Sequence, residues 1–304
     1  MSDAITRRAA HLGMLLWAVL VGLSFPAVGL MSELPPLALT SLRFAIACAG
    51  LWWLARRAPG FVPPWRVLPL YALMGLCLAG FFGAMFWAAH HATALSMATL
   101  YVSVPLLAFL LGLGFRVEQP GWRLPAILAL GASGALGLAF AESLGEAGGL
   151  HLGIGEAVFF LGCVSSALYP VLSKWGLAKG WLPASAAVRT FWSLGLGGVL
   201  IGLLALVVEP TGRLASMTGG DLLLLVYLGL FSSALTFWLM QRATAALTPG
   251  AVTAYGYLVP FVSMLLLFIQ APGRIGWVWL PGSVLVLTAI ALLLRNGRPP
   301  APTS

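Results

Sequence analysis

The chain reads as ten apolar runs separated by short polar punctuation. They cover about 11–29, 36–55, 67–89, 93–115, 122–141, 152–173, 184–207, 221–240, 249–269 and 276–294. Each is close to the ~20 residues an α-helix needs to cross a bilayer core. Each is apolar all round, whereas a membrane β-strand is ~10 residues of alternating polarity. The pattern predicts ten transmembrane helices, with loops too short for a soluble domain. The first run, about 19 residues long and followed by nine others, is predicted to be a retained span and not a cleaved leader.

Composition agrees. Of 304 residues, 61% are hydrophobic and 8% are charged, against about 25% charged in soluble domains. So few charges cannot cover a soluble surface, which excludes an ordinary cytosolic enzyme and a disordered chain alike. Cys48, Cys77 and Cys163 lie within apolar runs without metal-type spacing and are expected to be small packing residues. The formal net charge of +8 does not indicate a nucleic-acid partner, because the basic residues are scattered between apolar runs and form no soluble basic face.

Their scatter has a side. Arg7, Arg8, Arg56, Arg57, Arg66, Arg116, Arg123, Lys174, Lys179, Arg242, Arg295 and Arg298 fall on one side of the predicted membrane, twelve in all, against only Arg213 and Arg274 on the other. Glu33, Glu142, Glu146 and Glu209 mark the second side. By the positive-inside rule both termini are expected in the cytoplasm. Two arginines, Arg43 and Arg189, fall inside spans.

The halves resemble each other. Pro26, Pro36 and Arg43 in spans 1 and 2 recur as Pro170, Pro183 and Arg189 in spans 6 and 7, offset by about 145 residues. Phe86-Trp87, Ala92-Thr93-Ala94 and Pro105 recur as Phe237-Trp238, Ala243-Thr244-Ala245 and Pro260, offset by 151 to 155. Residues 1–148 and 149–304 then form two five-helix repeats. An odd number of spans per repeat forces opposite orientations. Inverted repeats of this kind place a substrate site near the membrane midplane.

At this point the residues resemble a known family. The segment Pro35 to Phe44, the stretch Phe86 to Pro105, and Tyr227-Leu228-Gly229-Leu230 through Pro260 are similar to ten-helix bacterial members of the drug/metabolite transporter superfamily with two EamA repeats. In layout the YddG-type aromatic amino-acid exporters are nearest. The family's Gly-Glu-Arg after the fourth span is replaced by Phe115-Arg116-Val117-Glu118, which keeps the charges and loses the glycine. The resemblance implies a multi-pass protein of the bacterial inner membrane that exports small metabolites. The implied substrates are amino acids, aromatic or other neutral ones such as threonine or methionine. It also implies a central cavity lined by spans 1, 3, 4, 6, 8 and 9.

Candidate substrate contacts are aromatic and hydroxyl side chains on those spans: Trp17 and Ser24 on one face of span 1; Phe86 and Trp87, with their repeat mates Phe237 and Trp238; the stripe Ser96, Thr99, Ser103, with Tyr101 beside it; and Thr253 with Tyr257 near Pro260. Arg43 and Arg189 either bind a substrate carboxylate or lock one gate, or else run to headgroups or cap a neighbouring helix end. Glu156, inside span 6, is either a proton-coupling group or an interfacial glutamate in contact with water. His90 and His91 end span 3 and are read as interfacial, with gating or pH sensing by His90 as the alternative. Trp65, Trp122, Trp175, Trp277 and Trp279 lie near span ends and fit an interfacial belt. Gly75, Ala79 and Gly83, and Gly131, Gly134 and Gly137, suit close helix packing. The second trio alternatively forms a dimer face, so the chain is expected as a monomer or homodimer.

Gly131-Ala132-Ser133-Gly134 looks like an intramembrane serine protease motif, but the last histidine, His151, is in a loop and none follows it. With no catalytic constellation, metal motif or Walker lysine, neither an enzyme nor a cofactor is expected. The leading expectation is a gradient-driven carrier working by alternating access. Efflux of cationic amphipaths is the alternative, and the absence of an acid in span 1 counts against it. A channel is more distant.

Overall fold

Each apolar run becomes helix in the computed structural model, which describes residues 2–31, 34–143, 153–270 and 276–296. Among these every element is helical. The helices are α1 (Ser2–Gly29), α2 (Pro36–Arg56), α3 (Leu68–Ala88), α4 (Ala94–Tyr101), α5 (Val104–Gly114), α6 (Arg123–Ser143), α7 (Ile154–Ala178), α8 (Ala186–Val208), α9 (Gly219–Tyr227), α10 (Thr236–Ala246), α11 (Pro249–Thr253), α12 (Leu258–Gln270) and α13 (Trp279–Asn296). A π-helical stretch, Leu228–Leu235, joins α9 to α10, and a 3₁₀ turn, Ala254–Tyr257, joins α11 to α12. Nine segments of the described residues are long and apolar enough to cross a membrane, and Trp279–Arg295 is a shorter apolar helix. Of the residues singled out above, Glu33, Glu146, His151, Arg274 and Arg298 lie outside the described set.

Local chemistry starts and breaks the helices. Thr93 and Ser185 cap α4 and α8 by accepting the Ser96 and Val188 amides. Prolines open α2, α3, α5 and α11, where their missing N–H costs nothing. Two spans break just before a proline. α4 ends at Tyr101 ahead of Pro105, and the 3₁₀ turn at Ala254–Tyr257 precedes Pro260. Proline removes a donor and crowds the carbonyl four residues back, which accounts for both positions. Pro26 and Pro170 instead sit inside the continuous helices α1 and α7.

These breaks correct two expected alignments. The stripe Ser96–Thr99–Ser103 does not continue along one helix, because Ser103 follows the α4 break and its hydroxyl donates to Leu100 O at 2.6 Å. Tyr257 lies within the 3₁₀ turn that follows Thr253, so α-helical spacing does not place them on a shared face. Basic residues placed outside or between the spans also lie on helices: Arg7 and Arg8 on α1, Arg56 on α2, Arg123 on α6, Lys174 on α7, Arg242 on α10 and Arg295 on α13.

Packing pairs α2 with α8, α6 with α13, and α5 with α11. α3 packs on α7, as α10 does on α1; α5 packs on α7, as α12 does on α1. Glycines permit the closest approaches. A Cβ on Gly75 would meet Gly197 N at 2.7 Å, and one on Gly134 would meet Val286 N at 2.7 Å and Gly282 O at 2.9 Å. The trio on α6 therefore packs within the chain: Gly134 and Gly137 on α13, and Gly131 against the Tyr257 ring. This removes it as a dimer face. Because backbone cannot yield, Gly134→Ala is expected to destabilise by about 1–3 kcal/mol. Gly137→Ala, whose Cβ would lie 3.4 Å from Gly282 Cα, is expected to be tolerated. Thermal unfolding in one detergent checks the contrast.

The outer surface is apolar, with Leu206, Val207, Leu223 and Ile269 all exposed. Trp65, Trp122 and Trp277 are also exposed, consistent with a belt. Trp279 is buried, and Trp175 is half-buried against Phe115 and Trp181. These two are packing residues and not belt residues.

Candidate functional site

Arg189 sits at the start of α8 and is fully buried. It does not run to the surface. Its Nη1 donates to Pro183 O at 2.6 Å and Ala184 O at 2.9 Å. Its Nε donates to Gln241 Oε1 at 3.0 Å, and its Nη2 to Gln241 O at 2.6 Å. Every one of these acceptors is neutral. Gln241 also accepts from Ser173 Oγ at 2.6 Å and donates Nε2 to Tyr169 Oη at 2.9 Å. The Tyr169 hydroxyl meets Ser193 Oγ at 2.9 Å, and Ser193 donates to Arg189 O at 2.8 Å. The result is a closed polar knot linking α7, α8 and α10. Tyr71, also fully buried, lies within electrostatic reach of Arg189, and its hydroxyl has no hydrogen-bond partner.

Arg43, on α2, is buried but loosely held. Its Nη2 donates to Ser232 Oγ and Ser233 Oγ, both at 3.3 Å, and its Nε has no partner. Ser232 and Ser233 lie in the π-helical stretch. Such stretches are uncommon and recur at functional sites. Gly229 lets it approach α2, because a Cβ there would meet Ile46 Cγ2 at 2.6 Å.

One line of residues joins the two arginines. Ser233, Phe237 and Gln241 follow at intervals of four. Ser233 meets Arg43, Phe237 is edge-to-face with Phe44 (5.8 Å) and Tyr169 (5.8 Å), and Gln241 meets Arg189. Phe44 also meets Phe82 at 5.5 Å, and Phe82 stacks on Phe86 at 6.3 Å. Phe81 links Phe82 to Tyr101 at 5.2 and 5.9 Å. Phe81, Phe82, Phe86, Phe237 and Tyr101 are all only half-buried. The arrangement is a partly open aromatic wall with a loosely held guanidinium at one end and a locked one at the other. Chemically it can hold a flat apolar group and an anion together.

The other candidates disperse. Trp17 and Ser24 are buried, Trp17 in the apolar core and Ser24 bonded to Val21 O. Trp87 is exposed and stacks on His91 at 3.9 Å, and His90 is exposed. Trp238 lies under the Arg242 guanidinium at 5.4 Å. Ser96 is buried at its cap, Thr99 is half-buried, and Thr253 donates to Pro249 O. Tyr257 donates to Val102 O at 3.2 Å. Glu156 is not in contact with water: it is buried, and its Oε2 accepts the Gly153 amide at 3.0 Å.

Several residues of this site were not singled out from the sequence. Phe44, Phe82, Tyr169, Ser173, Ser193, Ser232 and Ser233 carry no individual motif. Gln241 had a readable signal, a four-residue spacing from Ser233 through an aromatic. His11 is a further buried polar group. Its Nδ1 meets Tyr255 Oη at 2.6 Å, and its Nε2 has no partner.

Carboxylates serve as helix caps. Glu209, after α8, accepts the Leu37 and Ala38 amides of α2 at 2.8 and 2.9 Å. Glu118, after α5, accepts the Gly250 amide of α11 at 3.1 Å. Burial pushes the Glu118 carboxyl above its ordinary value, opposed by hydrogen bonds from Thr248, Gly250 and Gln119 and by the nearby Lys174 ammonium. A carboxyl raised in the folded state contributes stability that is full below its unfolded pKa and is lost as pH rises through the folded one. Wild-type melting temperature is therefore expected to fall as pH rises from about 4.5 toward neutrality. Glu118→Gln, which keeps an acceptor for Gly250, is expected to flatten that dependence in a pH series of melts.

Comparison with known proteins places this geometry. Residues 153–295 match the EamA-like transporter family. The chain is 26% identical over 231 residues to Protein PecM of Dickeya dadantii (strain 3937), covering 75% of this chain and 73% of that one. A protein of known crystal structure superposes with a TM-score of 0.74 at 22% identity, over 97% of this chain and 98% of the other, a likeness of fold. The second half of the chain, residues 153–295, is thus similar to the EamA-like transporter family, and nine segments of the described residues are long and apolar enough to cross a membrane.

Proposed function

We propose that this protein is a secondary carrier that exports neutral amino acids, aromatic ones foremost, by alternating access between two inverted five-helix repeats. Both termini lie in the cytoplasm of a bacterial cell. The carrying observation is Arg43, a buried guanidinium held only by two 3.3 Å hydroxyl contacts, with its Nε unpartnered. It lies beside the aromatic wall through its neighbour Phe44. A substrate carboxylate on Arg43 and an apolar side chain on Phe82, Phe86 and Phe237 would satisfy both. The exchanged packing supports the repeats: α3 on α7 against α10 on α1, and α5 on α7 against α12 on α1. So do the paired breaks before Pro105 and Pro260. Discontinuous spans at a repeat interface are a recurrent device of carriers.

Efflux of cationic amphipaths is the weaker reading. Glu118, Glu156, Glu209 and Asp221 each accept a backbone N–H at a helix start, whereas the charge set beside the aromatic wall is that of an arginine, Arg43. Purified protein in liposomes loaded with unlabelled amino acid tests the proposal. Labelled phenylalanine, threonine or methionine is expected to accumulate transiently by counterflow. Failure of all twenty amino acids, with uptake of tetraphenylphosphonium instead, would overturn it.

A further inference from the structure

A groove opens beside the ends of α5 and α7. Its volume is about 870 Å³, and it runs between the last half of α5 and the last turn of α7. Leu107, Leu110, Leu111 and Gly114 line one wall of it. Their spacing of three and four keeps them on one helical face for about 10 Å. Gly114 widens the mouth, since a Cβ there would meet nothing within 4 Å. Arg116, Lys179 and Trp175 also line the groove.

The backbone at both cations is set by turns. Arg116 holds the left-handed region at φ 58°, and the Val117 and Glu118 amides after it both donate to Gly112 O, at 2.8 and 3.1 Å. Lys179 is followed by Gly180 at φ 69°, and the Trp181 and Leu182 amides donate to Gly176 O at 2.9 and 3.1 Å. Both are the turns that close a helix C-terminus. Closing them ties up carbonyls whose negative end would otherwise repel an anion. Glu118 anchors the first turn to Gly250. Arg116 and Lys179 are both exposed. Two cations and an indole lining an apolar groove complement one molecular shape: an anionic head on a hydrocarbon chain. Basic pockets between membrane helices take acidic lipid headgroups in this way.

We propose that this groove is a binding site for an anionic phospholipid, the phosphate held by Arg116 and Lys179 and one acyl chain lying along Leu107, Leu110 and Leu111. The test is thermal unfolding of detergent-purified protein titrated with phosphatidylglycerol or phosphatidylcholine, alongside native mass spectrometry of retained lipid. Wild type is expected to be stabilised by phosphatidylglycerol over phosphatidylcholine and to retain one phosphatidylglycerol. Arg116→Gln with Lys179→Gln is expected to weaken the apparent phosphatidylglycerol affinity at least tenfold. Gly114→Leu, at a position where a Cβ meets nothing within 4 Å, adds bulk at the mouth and is expected to do the same while melting normally in phosphatidylcholine. Arg56→Gln with Arg57→Gln, whose guanidinia lie over Trp53, is expected to keep the preference. No phosphatidylglycerol preference in wild type, an undiminished preference in the first two variants, or an equal effect of inorganic phosphate alone would each overturn the proposal.

Discussion

Arg189→Ala is expected to remove most of the folded margin of this protein, seen as early aggregation and a large fall in melting temperature by size-exclusion thermostability. The side chain is fully buried and makes four hydrogen bonds, two to the Pro183 and Ala184 carbonyls and two to Gln241. Bonds from a charged donor contribute about 1.5–3 kcal/mol each, though not additively. Breaking one side of such a buried network costs about 3–5 kcal/mol, against a typical total stability of about 5–15 kcal/mol. Arg189→Lys keeps the charge but not the fork that spans both partners, so an intermediate loss is expected. Gln241→Leu strands the guanidinium and should approach the damage of Arg189→Ala. The informative variant is the double one, Arg189→Leu with Gln241→Leu. Replacing both halves of a buried polar network by apolar groups is often close to neutral, so partial recovery is expected. Additive losses in the cycle would show that the knot does not act as a unit.

The contrast between the two intramembrane arginines shows what the sequence could and could not convey. Both were legible as intramembrane residues because they fall inside apolar runs, while the choice between facing protein and running to headgroups stayed open. Their different fates were not, because each depends on tertiary partners. Gln241 lies beside Arg242, and a hydropathy boundary at 240 left both in a loop. One further turn of α10 brings Gln241 under Arg189. The π-helical stretch Leu228–Leu235 contains no proline to announce it. Its close approach to α2 at Gly229 and its hydroxyls on Arg43 are properties of packing. Proline did mark the breaks before Pro105 and Pro260, since its effect is local. Those same breaks dissolved the Ser96–Ser103 stripe, which assumed an unbroken helix. For Glu156 the sequence left a coupling group and an interfacial glutamate both open; the structure buries it at the start of α7, where it accepts the amide three residues back, the ordinary need of a helix start. Helices were thus the more legible part, being set by lipid solvation along the chain. The aromatic wall was the less legible part, since Phe44, Phe82 and Tyr169 differ from lipid-facing aromatics only in what the fold puts opposite them.

Arg43→Gln is expected to do the reverse of Arg189→Ala: leave the fold standing and disable transport. Its two contacts are long, its Nε is unpartnered, and removing an uncompensated buried charge relieves desolvation. The melting temperature should hold or rise. If Arg43 receives the substrate carboxylate, its loss costs at least about 2 kcal/mol, as for other buried charge pairs with one partner truncated, or roughly 30-fold in kcat/KM at about 1.4 kcal/mol per factor of ten. The loss should fall on the carboxylate specifically. Phenylalaninamide, which keeps the ring and lacks the charge, should compete with phenylalanine weakly in wild type and at least as well as phenylalanine in Arg43→Gln. Phe237→Leu should weaken both ligands together, because the ring wall does not distinguish them. Arg43→Lys should recover part of the phenylalanine flux, since the charge returns without the planar fork. Equal phenylalanine transport by wild type and Arg43→Gln would remove this guanidinium from substrate recognition. The aromatic wall would then have to orient its ligand through Tyr169, Ser232 and Ser233 alone, and a substrate without a carboxylate would follow.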